Sequence, residues 1–540
     1  MMMRRRSVNA VLALLFSAAV VFGWQIEHRG NANFYNIGTY AWLCGVFVSV
    51  LFLLSFSDRI LIDNGISEKK KKPLHITADR RLFLMTWGGM ILSYGIALLG
   101  AFPGFFCYDA QTETFEVMTN QYSNHHPIVH EFLLGNALRV GNRIFGNYNA
   151  GITLVVVAQI PVIAAIFSYM LYVLAKRGIS RRAYLISALF IALFPTVSMF
   201  AVCTTKDVPF TAGIILFTAV LYDRTGRGEE NAGRDFSLLF AASCLILLFR
   251  NNGIYILIPT ALIFICVIKK KTARIVSGLS IVCAVCVCIL VTQTMILSLH
   301  ATRGELKEML SVPMQQLARV YRDKTDELSK PEKEILFELI PEIIIVNYNP
   351  KCADDVKVNF LEDQFKSDIR KYSLFYLKML TRYPDVYVNA FLEMSYGYYY
   401  PRTVISGYEG KTINGMTYGD SSYFQFVIEN PGQSRPVLKF LNRFFQSLSL
   451  DSRWQKNPVT GILLHPATYF WVFVYTLSLT VKKKRRDTYP VFLVSLLNFA
   501  IMLMGPMALV RYALHFYILA PLMLHIVFTE RVSEAHLQEE

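Results

Sequence analysis

The chain reads as an all-α polytopic membrane protein of about 12 transmembrane helices with an extracytoplasmic domain of mixed or helical structure, on three observations. Of its 540 residues, 54% are hydrophobic and only 17% are charged. The hydrophobic residues gather into runs that approach or exceed the roughly 20 residues needed to cross a bilayer. Between those runs the basic residues stand in short clusters at 4–6, 69–72, 269–271 and 482–486, the pattern of cytoplasmic loops. A soluble fold or a β-barrel does not fit this composition. The net charge of +15 belongs to clusters that flank membrane spans, not to a surface for nucleic acid.

Residues 1–6 make a basic start and 8–24 the first apolar run. No small-x-small cleavage site follows, and Gln25-Ile26-Glu27-His28-Arg29 comes instead, so the run is expected to be an uncleaved signal-anchor. Spans are then expected at 37–56 and 82–101, at 151–175, 183–202, 208–222, 236–249, 254–268 and 275–299, and finally at 461–481, 489–509 and 513–529, before an acidic tail. With the N-terminus inside, alternate crossings put every basic cluster on the cytoplasmic side. The same count puts Asp109, Lys206-Asp207, Arg250, residues 300–458 and Arg511 outside. The expected organisation is a transmembrane module at 1–299 with a first outer loop at 102–149, an outer domain at 300–458, and a second transmembrane module at 459–540.

Within the outer domain, 304–321 and 330–345 read as amphipathic helices. The aromatic-rich stretches 372–380 and 387–400 are expected on the membrane surface or packed on the spans, and 407–430, rich in Gly, Tyr and Ser, as a loop or small hairpin. Of nine cysteines, six lie in apolar runs and behave as small hydrophobes. Cys283 and Cys286 have the CxxC spacing inside a span, which is no metal site. A Cys107–Cys203 disulfide is one option for two of the remaining three.

The candidate chemistry lies at the outer ends of the spans. Phe106-Cys107-Tyr108-Asp109-Ala110 and His125-His126-Pro127 interrupt the apolar pattern in the first outer loop. A carboxylate where bilayer gives way to water is partly desolvated yet reaches a hydrophilic substrate, the setting of a general base. Glu113 and Glu116 follow Asp109 at i+4 and i+7 and read as ordinary helix surface. His125 and His126 suit hydrogen bonding or a phosphate contact; adjacent histidines do not readily share one ion, and no nearby acidic partner completes a site. Lys206-Asp207 sits in a short turn between two spans, suited either to a structural ion pair or to a lipid phosphate. Arg250 and Arg511 stand outside, against the usual charge bias, which points to a bound anion. Cations beside a carboxylate at the outer rim fit transfer of a group from a lipid phosphate carrier to an extracytoplasmic acceptor.

These residues resemble the GT-C membrane glycosyltransferases, which include protein O-mannosyltransferases and the aminoarabinose transferase of lipid A. The resemblance rests on Tyr108-Asp109, His125-His126-Pro127, Thr205-Lys206-Asp207-Val208-Pro209 and the late pair Arg511-Tyr512. It implies a GT-C-like fold in the bacterial plasma membrane, with both termini cytoplasmic and the active site outside. It implies a polyprenyl-phosphate sugar donor, an acceptor in the cell envelope, inversion at the anomeric carbon with Asp109 as base, and Lys206, Arg250 and Arg511 on the donor phosphate. His125, His126, Asp207 and Tyr512 complete the donor-binding set. Ala110 stands where the mannosyltransferases have the second acid of an Asp-Glu pair. Family members with a single-phosphate donor work without a metal, so the resemblance implies none, although the residues alone leave a divalent ion open. The rival readings are a transporter or flippase of a lipid-linked sugar, an envelope polysaccharide polymerase or ligase, and a non-catalytic assembly partner.

Overall fold

A computed structural model describes residues 2–63, 75–225, 231–404 and 435–528. The lysines at 69–72, the stretch 407–430 and the acidic tail lie outside the described residues. Among those described there is no β-strand, only three isolated bridges, and the protein is all-α.

Each apolar run became a helix or a bent pair of helices, but with unequal ability to cross a bilayer. Among the described residues six helices are long and apolar enough, or up to eight if each bent pair counts as one span. The first three long ones are α1 (Met2–Arg29), α2 (Ile37–Asp58) and α3 (Arg80–Ala101). Two shorter helices follow, α4 (Ala110–Thr119) and α5 (Ile128–Phe145), then the long α6 (Tyr148–Lys176). The expected straight span at 183–202 is instead α7 (Arg181–Leu193) and α8 (Pro195–Ala201), bent by 53°. Pro195 has no N–H to give and its ring crowds the preceding turn, so the helix restarts there. Next come α9 (Asp207–Arg224), α10 (Ala232–Leu248), α11 (Ile254–Val267) and the long α12 (Lys271–Ser298).

The segment between α12 and α20 folds around a core of its own. Its helices are α13 (Ser311–Lys324), α14 (Lys330–Phe337), α15 (Glu342–Val346), α16 (Asp354–Val358), α17 (Glu362–Ser367), α18 (Ile369–Arg382) and α19 (Pro384–Ser395). Leu317, Leu336, Tyr372, Phe375, Met379 and Tyr387 pack together there. The aromatic residues of 372–387 are thus buried in this core and not laid along a membrane surface. Farther on, Tyr396 and Tyr400 do pack on α1, beside Ile26 and Ala32. Then α20 (Lys439–Leu450) returns to the spans, where Asn442 Nδ2 donates to the Gly100 carbonyl at the end of α3. A short turn, α21 (Arg453–Lys456), leads to α22 (Pro458–Leu464) and α23 (Pro466–Lys482), a second pair bent by 64° at a proline. The chain ends in α24 (Tyr489–Met502) and α25 (Val510–Phe528).

Burial separates the bundle's centre from its rim. In α2 only 6% of the apolar window is buried, and Val48, Phe52 and Leu53 point outward as a lipid-facing surface. In α25 the share is 89%, and α9 is buried along almost its whole length. The two most enclosed helices therefore carry Arg511 and Asp207 in their first turns. Their far ends are also tied by charge. Asp223 near the end of α9 accepts from Lys176 (3.1 Å) and Arg234 (2.7 Å), and Lys483 Nζ donates to the Val527 carbonyl of α25.

Candidate functional site

The connection between α3 and α4 is stitched to the turn before α9 by its own backbone. Phe105 N–H donates to the Val202 carbonyl (2.9 Å) and Thr204 N–H donates back to Phe105 (3.0 Å). Gly104, at φ +134°, allows this approach; a Cβ there would sit 2.8 Å from Val156. Cys107 and Cys203 are thereby brought to 3.4 Å, buried and unbonded. Tyr108 then takes a left-handed conformation, φ 63°, costly for an aromatic residue by about 1–3 kcal/mol and typical of functional sites. This kink delivers Asp109 to the start of α4, where its side chain makes no capping bond.

Asp109 is committed instead to two cations. Its Oδ2 accepts from Lys206 Nζ at 2.7 Å and from Arg511 Nη1 at 3.0 Å. Lys206 Nζ also donates to Glu113 Oε1 (3.0 Å) and His126 Nδ1 (2.8 Å). Glu113 in turn bonds His130 Nδ1 through its other oxygen, at 2.5 Å. Asp207 takes Arg250 Nε at 3.1 Å on Oδ1 and Arg511 Nε at 3.5 Å on Oδ2. The Tyr512 ring lies against both guanidiniums, 4.4 Å from Arg250 and 4.8 Å from Arg511, and its hydroxyl accepts from Arg511 Nη2 at 2.8 Å. Tyr108 stacks on Arg511 at 4.5 Å. Three carboxylates thus balance three cations in one buried layer. Asp109 is the most accessible of the carboxylates, with 27% of its side chain exposed against 1% for Glu113 and 0% for Asp207.

A model described as a family of unknown function, DUF6020, matches residues 117–540. The chain belongs to the DUF6020 family. No curated protein and no solved structure matches it. In this DUF6020 chain His126, Lys206, Asp207, Arg250 and Arg511 fall inside the matched region, and Asp109 and Glu113 just before it.

Electrostatics follow from this pairing in the DUF6020 chain. Burial would raise the Asp109 carboxyl, but Arg511 and Lys206 hold it well below the usual carboxylate range. Burial likewise opposes ionisation of Glu113, yet His130 and Lys206 bring it down to about 2. His126 is pushed down to about 3 by burial and by the Lys206 ammonium, so its ring is neutral and accepts at Nδ1. Lys206 is disfavoured by burial but raised by Asp109 and Glu113. One turn beyond, burial and the carboxylates of Glu116 and Glu113 push Glu131 up to about 9, leaving it a neutral acid.

The seven residues expected around Asp109 divide into two groups. His126, Lys206, Asp207, Arg250, Arg511 and Tyr512 converge with Asp109 in one network. His125 does not; it turns to the rim, its Nδ1 3.5 Å from Glu308 Oε1. Lys206 and Asp207 do not pair with each other. The reading of Glu113 as helix surface is corrected, because α5 folds back over α4 and encloses it: Gly135 lies against Val117, and Gly141 against Gly151 of α6. The same enclosure supplies acidic partners to His126, which the local sequence did not show. Asp109, Glu113 and His126 offer ligand atoms within 4.8 Å of one another, a donor set that a divalent ion would accept. Glu113 and His130 were missed as site residues; their i, i+4 and HxxxH-like local contexts carry no signal until Lys206 reaches Glu113 from 93 residues away.

Proposed function

We propose that the protein is a membrane glycosyltransferase that moves a sugar from a polyprenyl-phosphate donor to an acceptor hydroxyl or amine in the cell envelope, with Asp109 as general base. The observation that carries this reading is the asymmetry of Asp109. Its Oδ2 is held by Lys206 and Arg511, while among the described residues no donor reaches Oδ1, on a side chain that is 27% exposed. Oδ1 takes the acceptor proton as the acceptor attacks the anomeric carbon. The bond from that carbon to the phosphate oxygen breaks on the opposite face, its electron pair leaves with the phosphate, and configuration inverts. The departing phosphate is met by Arg250 and Arg511, whose planar forks suit it. On this reading the network faces the outside of a bacterial plasma membrane and both termini lie in the cytoplasm. A flippase would need its polar groups at mid-membrane depth along a path; here they cluster at helix starts.

The test is Asp109→Asn in purified membranes supplied with polyprenyl-phosphate sugars. Transfer should fall by about 10²- to 10⁴-fold, the usual contribution of a positioned base, with the protein still folded. Undiminished transfer removes Asp109 from the reaction.

A further inference from the structure

We propose that the Lys206 ammonium is the built-in cation of the Asp109–Glu113–His126 donor set, occupying the position a divalent metal would otherwise take, so that Lys206 positions the base and does not grip the substrate phosphate. An ammonium has three N–H donors and no acceptor. Lys206 Nζ has three acceptors around it, Asp109 Oδ2 at 2.7 Å, Glu113 Oε1 at 3.0 Å and His126 Nδ1 at 2.8 Å. Every N–H is therefore spent inside the protein, and none is left for a phosphate oxygen. The lysine is 8% exposed along its side chain and is anchored where α9 begins, so leaving the set would reduce Asp109 to Arg511 alone and Glu113 to His130 alone.

The same three residues each offer a ligand atom within 4.8 Å of the others as a metal-type set. A carboxylate pair with an imidazole nitrogen is a common way to hold Mg²⁺ or Mn²⁺. Here a fixed point charge on the chain fills that role. The consequence is a division of labour: Lys206 orients Asp109 through Oδ2, and the anion falls to Arg250, whose Nε faces Asp207, and to Arg511, which has five N–H groups and turns three of them to Asp207, Asp109 and Tyr512. The catalytic meaning of this division rests on the transfer reading above; the occupancy of the donor set does not.

The probe is Mn²⁺, followed by electron paramagnetic resonance on the full chain in detergent, with no sugar substrate present. The wild type should retain no Mn²⁺ after desalting beyond what His126→Ala retains. Lys206→Ala should gain a stoichiometric Mn²⁺, lost again in Lys206→Ala/Glu113→Gln, and its melting temperature should rise when Mn²⁺ is added. A wild-type Mn²⁺ that disappears in His126→Ala would overturn the proposal, because the lysine would then be displaceable by the metal. So would a folded Lys206→Ala chain that gains no ion. If Lys206→Ala does not fold, the wild-type comparison alone decides. Because none of these readouts involves transfer, a failure here is distinct from a failure of Asp109 as base.

Discussion

At the scale of single residues, the site is a set of groups whose proton affinities have been driven apart. Glu113 is depressed to about 2 from an ordinary 4.5. The stability its pairing contributes is present above that ordinary value and is lost as pH falls through about 2. His126 is depressed to about 3 from an ordinary 6.5, so its neutral ring stabilises the fold above 6.5, and this is eroded as pH falls toward 3. Between those values His126 is the first of the two to weaken the site on acidification. Melting temperatures of His126→Gln, which keeps an acceptor but cannot be protonated there, should accordingly be flatter than wild type between pH 6.5 and 4. Glu131 runs the opposite way, raised to about 9. Its neutral form favours the fold below its ordinary value, and the benefit is lost as pH rises through about 9. Glu131→Gln should match wild type near pH 5 and melt higher than wild type above pH 9. An equal response of both chains to alkali would contradict the assignment of a protonated Glu131.

At the scale of elements, the site depends on three close approaches. The hairpin of α4 and α5 reaches the bundle because Gly141 meets Gly151 with no side chain between them; a Cβ on Gly141 would stand 2.2 Å from the Gly151 nitrogen. Gly141→Leu forces α5 off α6, at a cost of about 1–3 kcal/mol or more for such overpacking. It should lower the melting temperature and, by moving Glu113, loosen Lys206. The second approach is the pair of bridges at Phe105 and Thr204, which hold the Asp109 loop to the Lys206 turn. The third is the union of α9, α25 and the Arg250 turn through Asp207. Asp207→Ala leaves two guanidiniums facing each other in a buried layer. Removing one partner of a buried pair costs about 3–5 kcal/mol, so this variant should be strongly destabilised in a detergent melt. A milder loss in the double variant Asp207→Ala/Arg250→Met would confirm that unpaired charge is the cause.

At the scale of the whole molecule, charge is sorted to the two ends of the most buried helices. Asp207 and Arg511 begin α9 and α25; Asp223 and the Lys483 contact with Val527 close their other ends. A second tie at such an end is Asp58, which accepts from Lys482 at 2.9 Å and from Asn9 at 2.8 Å, joining α2, α23 and α1. In a chain stripped of its nine cysteines, a membrane-impermeant maleimide should label Arg143→Cys and Lys366→Cys from outside intact cells, and Lys484→Cys only after permeabilisation. Labelling of Lys484→Cys in intact cells would reverse the orientation and put the Asp109 network in the cytoplasm.

The amino-acid sequence alone determined that this is an all-α membrane protein, because the bilayer demands long apolar helices and leaves that demand written in every run. It also picked out Asp109, His126, Lys206, Asp207, Arg250, Arg511 and Tyr512, since a charged group at a span end is costly enough to stand out singly. Only the tertiary structure decided which of those charges face one another, that His125 stays outside, and that Glu113 and His130 belong inside. Ion pairing between groups hundreds of positions apart, 402 for Asp109 with Arg511, has no local signature. It depends on how α5 folds over α4 and on where Pro195 and Pro466 bend the spans, and so is settled by packing, not by composition.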